Sequence, residues 1–210
     1  MLTPAASLSL AAVLALASAA PGVPAAVQNA GITTEQWKKL ARGEVVSHLE
    51  AGREKPPLSR GSGAFIVALP WTKAFDRIGQ VENLPEYSSC LKTLQLLMRA
   101  THDGQTSIKT RETHQSLWIR AQYTLDYVED LDAREIRWSL DPKAQNDVAQ
   151  MTGAWRFIEL DAEHTLVTYR LAATSGRALP PVIEDYFTGV MLPTFLNGVR
   201  DYVTAEKTKP

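Results

Sequence analysis

Hydrophobic positions along the chain follow three different patterns, and each predicts a different kind of element. From Leu117 to Leu171 they alternate. Leu117, Ile119, Ala121, Tyr123, Leu125 and Tyr127 fall on one side of an extended chain, with Trp118, Arg120, Gln122, Thr124 and Asp126 on the other. The same period of two runs through Ile136, Trp138 and Leu140, through Gly153, Trp155 and Phe157, and through Thr165, Val167, Tyr169 and Leu171. Arg137, Arg156 and Arg170 occupy the opposite sides. This pattern predicts four antiparallel strands with an aromatic-rich covered face and an arginine-bearing wet face. Weaker alternation over 91–100 and 106–116, around Asp103-Gly104, predicts a hairpin ahead of them.

The second pattern is helical. Ile183, Phe187, Val190, Met191, Phe195 and Val199 recur at close to helical spacing and predict a C-terminal amphipathic helix. Pro193 removes an amide donor and must kink or divide it. Near the other end, Thr33 with Gln36 three residues on reads as a capping box opening a helix through about Arg42. Residues 22–32 read as a linker, 45–50 as a strand and 53–60 as a loop. Residues 61–69 read as a second strand, closed by Pro70, which opens a helix over 71–79. Leu84-Pro85-Glu86-Tyr87 reads as a further helical turn.

The third pattern is an apolar stretch, Leu8 to Ala19, interrupted only by Ser9 and Ser18, inside a segment (1–31) without any Asp, Glu, Lys or Arg. It matches a signal-peptide core and falls short of the roughly 20 residues that cross a bilayer. Ala17-Ser18-Ala19 fits the small-x-small cleavage pattern, although no basic residue precedes the run. The expected organisation is a leader over 1–19, a linker and arm over 20–60, one domain over 61–204 and a tail over 205–210.

Composition narrows the function classes without choosing one. Of 210 residues, 45% are hydrophobic and 21% charged, and the net charge of −1 argues against a nucleic-acid partner. The single cysteine, Cys90, excludes an internal disulfide and, lying far from the leader, a lipid anchor. No phosphate loop, G-x-S-x-G elbow or zinc-hydrolase helix occurs. His102 and His114 are expected to face each other across the Asp103-Gly104 hairpin. Glu112 and His114, two apart, share a strand face and could form an acid/base pair, but a solvated face is the expected reading. Cys90 reads as a packed thiol.

Several segments resemble one family. Ala64-Phe65-Ile66-Val67-Ala68-Leu69-Pro70, then Ala74-Phe75-Asp76-Arg77-Ile78 and Leu84-Pro85-Glu86-Tyr87, are similar to the opening strand, helix and "lPey" turn of the START/Bet v 1-like (SRPBCC) superfamily. Within it they resemble the polyketide cyclase/coenzyme Q-binding branch. Gly153-Ala154-Trp155-Arg156-Phe157 with Thr165-Leu166-Val167-Thr168-Tyr169 resembles that branch's strand pair, and Leu179-Pro180-Pro181 leads into a last helix through Val199-Arg200. The resemblance covers roughly 62–203. Gln80 stands where many relatives have an acidic residue, and Phe75 where many have Trp.

The resemblance implies an α+β helix-grip fold, a curved antiparallel sheet wrapped around a long C-terminal helix, with two short helices after the first strand. It implies an apolar cavity between sheet and helix that takes a lipid, quinone or polyketide-like molecule. An aromatic-rich face suits such a cavity physically. The candidate ligand-binding residues are Tyr87, Tyr123, Trp138, Trp155, Tyr169, Phe187 and Met191. The leading expectation is a carrier of a hydrophobic small molecule, exported to the periplasm or beyond, without cofactor or metal. The alternative is a cyclase/dehydratase using a cavity tyrosine or the Glu112–His114 pair.

If the leader is removed as expected, mass spectrometry of the mature native protein finds Ala20 at its N-terminus. Recovery of an intact Met1 would contradict export by this route.

Overall fold

The protein is described by a computed structural model, over residues 23–50, 52, 58–116, 118–174 and 190–205. The expected leader and Phe187 lie outside these residues. Eight strands make up one antiparallel sheet: β1 (Val46–Glu50), β2 (Ser59–Val67), β3 (Leu91–His102), β4 (Gln105–Ser116), β5 (Ile119–Asp130), β6 (Glu135–Leu140), β7 (Gln150–Glu159) and β8 (Thr165–Thr174). Their order across the sheet is β1-β2-β8-β7-β6-β5-β4-β3. Helices α1 (Ala25–Asn29) and α2 (Thr34–Ala41) precede the sheet, α3 (Trp71–Gly79) and α4 (Leu84–Tyr87) follow β2, and α5 (Leu192–Thr204) comes last.

The alternation sets the two faces. Pairing of Tyr127 with Trp138, Ile136 with Trp155 and Trp155 with Tyr169 gathers the aromatic side chains on the inner face. Arg120, Arg137, Arg156 and Arg170 are exposed on the outer one. Helix α5 covers one end of the inner face. Its Leu192, Leu196, Val199 and Val203 recur at helical spacing and are buried. Pro193 sits in the first turn of α5, where a missing amide costs little, and Val190 and Met191 just ahead of it form a π-helical turn.

Glycine allows the close approach. A Cβ on Gly63 would lie 2.2 Å from Leu196 Cδ1, so β2 meets α5 backbone-close. On β7, a Cβ on Gly153 would lie 2.1 Å from Trp138 Cζ2, and the missing side chain is the space that the indole fills.

Two expectations are corrected here. Residues 22–32 are not a plain linker: α1 lies within them, and Val27 is fully buried. Val27 packs with Leu40 of α2, Val46 of β1, Ala64 of β2 and Leu166 of β8. The outer face is therefore not wet throughout. Ile66, Ile158 and Leu166 form an apolar patch on it, and the N-terminal helices cover that patch. The capping box holds α2 as read, with Thr33 Oγ1 accepting from the Gln36 amide and Gln36 Oε1 from the Thr33 amide. Because β1 pairs with β2 from Val46 to Glu50, the folded unit starts well before residue 61.

The second correction concerns the hairpin. Asp103 and Gly104 both have positive φ (49° and 76°), the two-residue turn expected of Asp-Gly. That turn sets His102 opposite Gln105, while His114 lies at the far end opposite Leu91. The two histidines do not meet.

Leu40→Ala removes a buried side chain from the outer cluster, and about 2–5 kcal/mol of unfolding free energy should go with it. Urea denaturation measures this. A change within experimental error would return the arm to the status of a linker.

Candidate functional site

Helix α5 packs on β2 and β1 and against α3 and α4, α3 reaches β6 and β7, and a gap is left between α5 and the sheet. The gap is a cavity of about 280 Å³, close to the lower end of the roughly 300–1,000 Å³ usual for small-molecule sites. Its floor is supplied by Tyr123, Trp138, Trp155, Tyr169 and Leu171 of the sheet, and its helix side by Met191, Leu192 and Phe195. Tyr87 and residues 88–90, between α4 and β3, close one end.

The aromatic residues support one another. Trp155 and Tyr169 lie 4.6 Å apart between ring centroids, Trp138 and Tyr169 5.6 Å, and Phe195 of α5 reaches Tyr169 at 5.7 Å. Tyr87 packs on Tyr202 at 4.8 Å. Rings held in tilted and edge contacts make a stiff apolar wall. Six of the seven candidate residues, namely Tyr87, Tyr123, Trp138, Trp155, Tyr169 and Met191, line the cavity together. Phe187 lies outside the described residues.

The end of the cavity at β4 is polar, and this overturns the expected solvated face for Glu112 and His114. Glu112 is only 2% exposed. Its Oε1 accepts from Thr110 Oγ1 at 2.7 Å and from the Tyr127 hydroxyl at 2.9 Å, and its Oε2 faces His114 Nε2 at 2.9 Å. Three such partners offset much of the cost of taking a carboxylate out of water. On the other side of the imidazole, Nδ1 lies 3.6 Å from Cys90 Sγ, which is itself 3.5 Å from Ser88 Oγ. Tyr123 stacks on the imidazole at 5.2 Å. Cys90 is therefore more than a packed thiol.

Electrostatics follow from this chain of contacts. Burial alone would lower the His114 pKa, but the hydrogen bonds and charges of Cys90 and Glu112 outweigh it and lift the value to about 9. Burial pushes the Cys90 thiol up, yet its hydrogen bonds to His114 and Ser88 bring it below its ordinary value. Burial raises the phenols of Tyr87, Tyr123, Tyr127 and Tyr169, which stay protonated and can donate. Among the described residues no set of three or more His, Cys, Asp or Glu side chains is arranged to hold a metal ion. Cys90, His114 and Glu112 form a relay instead, with the imidazole between the other two.

The sequence offered Glu112 and His114 as a pair but not their meeting with Cys90, for a definable reason. Regular pairing from the His102–Gln105 end would set His114 opposite Thr93. Two irregularities in β3, near Leu91 and Leu96, move it opposite Leu91, next to Cys90. Phe195 and Tyr127 also line the cavity and were legible as members of the apolar helix stripe and of the inner strand face.

The pH behaviour of His114 tests the arrangement. Its folded pKa lies above the unfolded value of about 6.5, so the stabilisation by the charged imidazole is complete below that pH. It is lost as pH rises through about 9. Imidazole NMR should show a midpoint near 9, lowered by about one unit or more in Glu112→Gln. A midpoint at or below the unfolded value would contradict the relay.

Comparison with protein-family models finds no match, and neither does comparison with curated proteins. Solved structures do match. A STAR-related lipid transfer protein fragment from Xanthomonas axonopodis aligns with a TM-score of 0.62 at 13% identity, covering 77% of this chain and 94% of that one. Human STARD10 aligns with a TM-score of 0.58 at 11% identity, over 77% of this chain and 70% of that one. The Zhui aromatase/cyclase from Streptomyces sp. R1128 aligns with a TM-score of 0.56 at 17% identity, over 70% and 93%. At such identities the likeness speaks for the fold and does not select a branch: the chain has the START-like helix-grip fold.

Proposed function

We propose that the protein binds and carries a hydrophobic small molecule in the cavity between α5 and the sheet. The observation that carries this reading is the unfilled gap itself, walled by aromatic rings where a purely structural core would be closed by side chains. The solved neighbours include a lipid transfer protein and an aromatase/cyclase, which supports a ligand of lipid or polyketide-like chemistry. Among the described residues no helix is long and apolar enough to cross a membrane, and transient membrane contact belongs to the same proposal. Export through the leader over 1–19 belongs to the same proposal and places the work in the periplasm or outside the cell.

A specific observation favours a second reading, an enzyme of cyclase/dehydratase type. Glu112, His114, Tyr123 and Tyr127 all line the cavity and could move protons on a bound ligand.

Native mass spectrometry of the purified protein, offered phospholipids, fatty acids and quinones, should show uptake of one molecule per chain. Ligand entry should also change the tryptophan emission, because Trp138 and Trp155 line the cavity. Leu171→Trp, which fills cavity space, should weaken binding by roughly 10-fold or more, a loss of about 1.4 kcal/mol. A protein that stays empty with every class of ligand would contradict the carrier reading.

A further inference from the structure

The cavity is mostly apolar, yet a thiol, an imidazole and a carboxylate are lined up along one end of it. Carriage alone does not call for them. A buried carboxylate is costly to keep, and apolar residues of similar volume would hold the strands at least as well. What the three groups do provide is the arrangement of an activated nucleophile: a thiol beside a base, and a base oriented by a third group. Cys90 Sγ lies 3.6 Å from His114 Nδ1, and His114 Nε2 lies 2.9 Å from Glu112 Oε2. Thr110 and Tyr127 fix the carboxylate through its other oxygen, and Tyr123 stacked on the ring fixes its plane. Cys90, His114 and Glu112 are all among the residues that line the cavity.

We propose that Cys90 is a nucleophile that takes an acyl group from a hydrophobic ester or thioester bound in this cavity, with His114 as its proton partner. The inference rests on the reading that the cavity accepts a hydrophobic molecule. In the first step the Cys90 thiolate forms a C–S bond to the substrate carbonyl. The bond from that carbon to the leaving oxygen or sulfur breaks, and His114 Nδ1 gives its proton to the departing group. In the second step a water oxygen bonds to the thioester carbon, its proton goes to His114, and Cys90 leaves as thiolate. The balance is ester plus water giving acid plus alcohol, or thiol from a thioester, with no redox partner. Glu112 is a positioning residue, holding the ring and favouring its charged form. The lowered thiol and raised imidazole pKa values agree with a thiolate–imidazolium pair.

The test uses the full chain with p-nitrophenyl decanoate and p-nitrophenyl acetate, and unreactive decanoate as a binding control followed by tryptophan emission. The decanoate ester should release p-nitrophenolate at least roughly 10-fold faster than the acetate ester. Peptide mapping should find the decanoyl group on Cys90. Cys90→Ser and His114→Asn should each lose roughly 100-fold or more of the rate. Glu112→Gln should shift the upper limb of the pH–rate profile downward, which a merely structural role would not do, and an unshifted limb would remove Glu112 from the relay. Decanoate binding without acylation faster than that of a free cysteine peptide would overturn this inference and leave the carrier reading standing. Absence of both binding and acylation would overturn the two together.

Discussion

The close seating of α5 on the glycines of β2 is the constraint on which the rest of the structure depends. Gly63 lets Leu196 sit against the strand backbone, and Leu192 reaches Gly61 beside it. The helix is thus fixed at one end of the sheet. Farther across, Trp155 and Tyr169 stand up from the inner face and meet Phe195, with Trp138 packed on both, which prevents the same approach. A helix held close at one end and propped by rings at the other leaves space between. The size of the cavity is a consequence of small residues on β2 and large ones on β6–β8.

The space is lined unevenly, and the unevenness has a physical logic. Its apolar walls favour a hydrophobic occupant because contact removes apolar surface from water. Its polar end lies at β4, where Glu112 would be destabilising without the Thr110, Tyr127 and His114 contacts. These groups answer one another, and the charge they hold acts in a region from which water is largely excluded. The same elements therefore suit both orienting a ligand with one polar group and acting on that group.

The strands β5 to β8 could be read from the chain because their two faces differ in polarity, so a period of two assigns each residue a side. In β4 the pattern fails. Lys109, Arg111 and Thr113 alternate with Thr110, Glu112 and His114, and beyond Ile108 the two polar faces do not show which is buried. Only the neighbouring strand decides, since Glu112 pairs with Tyr123 and shares its face. The place of Cys90 was hidden for another reason. It depends on two irregularities in β3 that shift the pairing without leaving a glycine or proline to mark them. Helix α1 was obscured by its small residues, whereas the capping box of α2 could be read directly.

The central claim is that a hydrophobic molecule occupies the space between α5 and the aromatic face. Methionine methyl NMR on the ligand-loaded protein tests it directly, because the methionines are few and well distributed. Met151 and Met191 line the cavity, and Met98 is exposed on the edge strand β3. The account predicts contacts between ligand protons and the methyls of Met151 and Met191, with Met98 unchanged. Ligand contacts at Met98 alone, with the two cavity methyls unmoved, would contradict it.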